Sequence, residues 1–172
     1  MTVNLRINNQ LLADYLRYLF PPVDSVLKVN SEHGMGKLLI AHCRVSSKPV
    51  PEVCDGSMVT LRLPLCNATQ SLEYKFLYYS NADTAQLNLA LKAYFDLDFE
   101  GYYRRGENAD FSKRDIVEGF IQSRKLISSD NFDALHKRAY RKQLERHSIL
   151  LRKLQRKAYY IDESLDTSGL KK

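Results

Sequence analysis

The chain has 172 residues with 26 Lys or Arg against 20 Asp or Glu, and 44% of it is apolar. These fractions exclude a disordered or low-complexity chain and leave room for a sizeable core, to which eleven Tyr and seven Phe contribute in the absence of Trp. The net charge of +6 is local: residues 134–160 hold nine Lys or Arg and one acid, Glu145, so the remainder of the chain is slightly acidic.

In chain order, VNLRI at Val3 to Ile7 alternates apolar and polar residues and predicts a half-buried strand. A helix follows, with Leu11, Leu12, Tyr15, Leu16 and Leu19 on one face, Asn8 or Asn9 as its cap, and Pro21 and Pro22 as its stop. SVLKV and KLLIAHCRV then predict two strands joined by the loop NSEHGMG. Gly34-Met35-Gly36-Lys37 in that loop resembles part of a phosphate-binding loop. It lacks the required first Gly, where Ser31 stands, and the hydroxyl after Lys, where Leu38 stands, so a turn with two glycines is the expectation.

After the turn-rich segment 46–57, MVTLRLPLC and SLEYKFLYY predict two further strands, the first an edge or bulged strand because of Pro64. A helix capped by Asn81 or Asp83 then carries Leu87, Leu91, Tyr94 and Phe95 at helical spacing. The expected fold class is therefore α+β. Residues 1–100 form a mostly antiparallel sheet of about five strands with two helices, 101–111 form a linker loop, and 112–172 form a helical hairpin ending in a long basic helix, free or packed on the core. Ser112 with Asp115 marks the start of a helix whose face is Ile116, Val117, Phe120 and Ile121, and 128–131 separate it from the last helix.

That last helix carries the functional expectation. Tyr140, Leu144, His147, Leu151, Leu154 and Ala158 step by four and three residues, the seam of a helix packed along another. Off the seam stand Lys137, Arg138, Arg141, Lys142, Arg146, Arg152, Lys153, Arg156 and Lys157. A solvated helix usually interleaves Glu with Lys. Here Lys137–Arg141, Arg138–Lys142, Lys142–Arg146, Arg152–Arg156 and Lys153–Lys157 are repulsive i, i+4 pairs, costing an isolated helix on the order of 1 to 2 kcal/mol in all.

A phosphate backbone relieves that repulsion and releases counterions. The stretch thus points to a non-enzymatic nucleic-acid-binding protein, DNA ahead of RNA, with Arg104 and Arg105 of GYYRRG as further phosphate contacts beside Tyr102 and Tyr103. Residues 112–140 meet the minimal description of a helix-turn-helix, with Asp133, Lys137, Arg138 and Arg141 towards a major groove. The bland reading pairs these cations with Asp96, Asp98, Glu100 or Asp110 of the same fold.

The alternative function is an assembly or scaffolding subunit, a homo-oligomer through Tyr140, Leu144, Leu151 and Leu154 included. A third reading, a metal-dependent nuclease-like enzyme, would place Asp96, Asp98 and Glu100 on one face of an extended segment. No catalytic residue, cofactor or metal is expected. His42 beside Cys43 would point to opposite faces of a strand, and Cys43, Cys54 and Cys66 match no ligand spacing. Without an apolar run of about 18 residues or a signal-like start, a cytoplasmic location with no membrane partner is expected.

Overall fold

A computed structural model describes residues 1–50, 57–64 and 75–126, together with positions 135, 137, 152 and 153. The chain divides into two compact units, Met1–Phe132 and Asp133–Lys172. The first unit is α+β. In chain order it runs β1 (Thr2–Ile7), α1 (Gln10–Leu19), β2 (Pro22–Val23), β3 (Val26–Lys28), α2 (Gly34–Ala41), β4 (Arg44–Ser46), β5 (Ser57–Arg62), β6 (Phe76–Tyr78), α3 (Asn81–Asn108) and α4 (Lys113–Ser123).

Four strands form one sheet in the order β1-β5-β3-β2, and β4 with β6 forms a second, two-stranded sheet. The β1–β5, β2–β3 and β4–β6 pairs are antiparallel, whereas β3 and β5 run parallel. That parallel pair requires a crossover, which α2 and β4 supply. A two-residue turn at Asp24 and Ser25, both at positive φ, joins β2 to β3, the backbone twist that a tight hairpin favours.

Alternation decides which side of the sheet is dry. Val3, Leu5 and Ile7 of β1 and Val59 and Leu61 of β5 are buried, while Arg6, Met58 and Arg62 are exposed. α1 begins where expected: Asn9 accepts a hydrogen bond from the Leu11 amide at 2.9 Å, and Leu12, Tyr15 and Leu16 are buried. α4 is likewise capped by Ser112, with Ile116, Val117 and Phe120 buried.

Two expectations are corrected. The run 37–41 is not a strand but most of α2, whose Met35 and Leu39 are buried four residues apart and whose N-terminus is capped by His33 Nδ1 accepting from the Met35 amide at 3.1 Å. A short apolar run cannot by itself distinguish a strand from a buried helical turn. Its glycines are there for close approach and not for a flexible turn: an added Cβ at Gly36 would collide with the Asn30 carbonyl oxygen.

The expected loop 101–111 is helical as far as Asn108. The signal for it was in the spacing, since Leu87, Leu91, Phe95, Phe99 and Tyr103 are all buried and recur every four residues. Gly106 sits within that helix because an added Cβ would lie 2.5 Å from the Ile116 side chain of α4. At Gly101 nothing is closer than 3.7 Å.

The glycines therefore predict opposite outcomes. Gly36→Ala should lower the free energy of unfolding by about 2 kcal/mol or more, because backbone must move, whereas Gly101→Ala should raise it by about 0.5 to 1 kcal/mol. Urea unfolding of the two variants beside the wild type measures both.

Candidate nucleic-acid interface

Two acidic side chains fasten α3, one in its first turn and one past its middle, and both are fully engaged. Asp83 is 6% exposed in the first turn and accepts from the Ser80 hydroxyl and amide in a capping box. It also receives Arg44 Nε at 2.5 Å and Nη2 at 3.2 Å, and His42 Nδ1 lies 3.2 Å away. Arg44, then Ser80, hold its carboxyl well below the usual carboxylate range.

Four turns on, Asp98 accepts two 2.8 Å hydrogen bonds from the Arg124 fork and one of 3.2 Å from the Tyr15 hydroxyl. The Arg124 guanidinium lies 4.9 Å from the Tyr18 ring centroid and 5.4 Å from that of Phe120. Arg124 depresses the Asp98 carboxyl, while burial and then Asp98 push the Tyr15 hydroxyl far above the phenol range. These are the interactions of a structural clamp across α1, α3 and α4.

The nuclease arrangement is thereby corrected: Asp96, Asp98 and Glu100 lie on a helix, so alternate positions do not share a face. Among the described residues no group of three or more His, Cys, Asp or Glu could hold a metal ion. Nor does a strand separate His42 from Cys43. His42 is the C-cap of α2 with its ring at Asp83, and burial pushes the Cys43 thiol up to about 11.

Of the expected phosphate contacts, Arg104 is paired to Glu100 at 2.5 Å within α3, and Arg105 is exposed on the same helix. Lys137, Arg152 and Lys153 are helical and exposed in the second unit, and Leu135 is helical and buried. Arg138, Arg141, Lys142, Arg146, Arg156 and Lys157 lie outside the described residues, as do the seam positions Tyr140, Leu144, Leu151 and Leu154 and most of the second helix of the helix-turn-helix expectation.

The structure also assembles a charged surface that the sequence reading did not single out. The four strands of the larger sheet contain no acidic residue, and their three cations, Arg6, Lys28 and Arg62, are all exposed. Lys28 and Arg62 are paired directly across the parallel β3–β5 ladder. Beside β1 a 480 Å³ cleft opens towards β6, lined by Arg6, Asn4 and Met58 on the sheet side and by Lys75, Phe76 and Tyr78 opposite. Alternation along β1 and β5 carried this signal, but only the strand order brings the cations together.

No protein-family model, curated protein or solved structure matches the chain. No helix of the described residues is long and apolar enough to cross a membrane.

The two acid nodes make distinct predictions. A carboxyl with a depressed folded-state pKa stabilises the fold above its unfolded value and loses that contribution as pH falls. Asp83→Asn should therefore flatten the decline in stability between about pH 5 and 2, read by urea midpoints across that range. Asp98→Asn should cost about 1 to 2 kcal/mol at pH 7 by breaking the charge-assisted fork, measured as a lowered thermal midpoint.

Proposed function

We propose that this protein binds nucleic acid without acting on it chemically, and does so in the cytoplasm, with the basic stretch 134–160 as its phosphate contact. The observation that carries the reading is the excess of nine cations over one acid in that stretch. Lys137, Arg152 and Lys153, where described, are exposed and helical.

The competing account, that these cations pair with acids of the first unit, is weakened by the engagement of two of the four carboxylates it named. Asp98 is held by Arg124 and Glu100 by Arg104. A run of like charges without partners raises its own electrostatic energy, and a polyphosphate lowers it with release of counterions. The role of such contacts is to position the protein on a backbone, which favours DNA or RNA regardless of base sequence. Arg105 adds an exposed cation in the first unit, while Arg104 is a helix-surface ion pair.

The test is binding to a labelled duplex across about 50 to 300 mM salt, for the wild type and for a variant with Arg138, Arg141, Lys142 and Arg146 changed to Gln. Affinity should fall steeply with salt for the wild type, and the variant should bind more weakly with a log–log slope shallower by about 3 to 4. Equal affinity and slope in the two proteins would assign the charge to a protein partner instead.

A further inference from the structure

The open face of the four-stranded sheet poses a question that the basic C-terminal stretch does not answer. One side of the sheet is buried, with Val3, Leu5, Leu27, Val59 and Leu61 all 5% exposed or less. The other side carries Arg6, Lys28 and Arg62, and none of the four strands contributes a carboxylate to balance them. Among the described residues, neither these three nor Lys75 forms an ion pair.

The arrangement has an electrostatic cost. Lys28 and Arg62 stand opposite each other on neighbouring strands, about 5 Å apart at the backbone, where like charges repel. Arg6 lies four residues along from Thr2, the residue that pairs with Arg62, so the cations span about 13 Å of sheet. An anion with several charges spaced along its length is the ligand that such a row recognises.

The cleft beside β1 adds a second and different feature. Its far wall holds Phe76, a large aromatic side chain left 49% exposed, with Tyr78 two residues along on the same face of β6. Its near wall holds Arg6 and the amide-bearing Asn4, and Lys75 stands beside Phe76 on the far wall. A volume of 480 Å³ is that of a small-ligand site and not of a groove for a double helix. An exposed ring flanked by cations, in a cleft with no acid among its described lining residues, matches a strand with unpaired bases: the base has a flat face for the ring, and the phosphates meet the cations.

We infer that the open face of the β1-β5-β3 sheet and its cleft against β6 form a binding site for single-stranded nucleic acid, with an unpaired base stacked on Phe76 and phosphates held by Arg6, Lys75 and Arg62. This rests on the nucleic-acid reading above but places a separate contact in the first unit, selective for unpaired bases. The C-terminal stretch supplies charge without that selectivity.

The chain has no Trp, so Phe76→Trp installs a single indole reporter in the cleft. A labelled oligothymidine is titrated into this variant, reading indole emission and label anisotropy together at about 50 mM salt. Quenching that follows the anisotropy, with no quenching by a blunt duplex, is the expected result.

In the otherwise wild-type chain, Arg6→Gln, Arg62→Gln and Lys75→Gln together should reduce the single-strand salt slope by about 2. Phe76→Ala should weaken single-strand binding about tenfold and leave duplex binding unchanged. Each substitution is at an exposed position, and an unchanged thermal midpoint confirms that the fold is retained.

If oligothymidine binds while the indole emission stays constant and the sheet variants bind as the wild type does, the sheet site is overturned and the C-terminal reading stands. If neither oligothymidine nor duplex binds the wild type, both are overturned.

Discussion

The first unit is organised around one buried stripe. Leu87, Leu91, Phe95, Phe99 and Tyr103 lie on successive turns of α3, and Phe95 and Phe99 are essentially inaccessible. Burying a side chain of this size contributes about 1.5 to 3 kcal/mol, so the stripe dominates any single polar contact. Phe95 meets Tyr15 of α1 edge-on at 5.1 Å, and Phe99 meets Phe120 of α4 at 5.0 Å, which makes α3 the shared wall of both neighbouring helices. Further up, Asn88 joins the helix to the end of β1 by donating to the Arg6 carbonyl and accepting from the Asn8 amide.

The polar clamps follow from that stripe. A helix of 28 residues has a defined direction and two defined ends. Asp83 at the first turn collects α2 and β4 through His42 and Arg44, and Asp98 collects α1 and α4 through Tyr15 and Arg124. Acids that might have balanced surface cations are in this way held by the frame itself. The open sheet face, among the described residues, and the stretch 134–160, by its sequence, each carry net positive charge, and the proposed function rests on that charge.

Legibility differed between elements for physical reasons. β1, α1 with its Asn9 cap and α4 with its Ser112 cap were readable, because alternation, helical spacing and capping are local properties. α2 was not, because five apolar-rich residues suit either state, and the close approach of Gly36 to the Asn30 backbone is a tertiary contact that no local pattern shows. The end of α3 was obscured by Gly101 and Gly106, read as loop signals although Gly106 accommodates Ile116 of another helix. The acids of FDLDFE likewise could not be assigned until the helix placed Asp98 against Arg124.

The sequence by itself determined the α+β class, the caps and apolar faces of α1 and α4, and the concentration of positive charge in 134–160, all of which depend on residues near one another in the chain, whereas α3 is capped by Ser80 and not by Asn81 or Asp83. Tertiary structure alone decided which cations stand together on a sheet face. Lys28 and Arg62 become neighbours, with Arg6 further along the same face, only through the β1-β5-β3 order, and strand order is set by crossover connections and burial of the opposite face over more than fifty residues. It also decided which charges are spent: an ion pair such as Asp98 with Arg124 depends on a distance of 2.8 Å in space, and no local pattern encodes that distance.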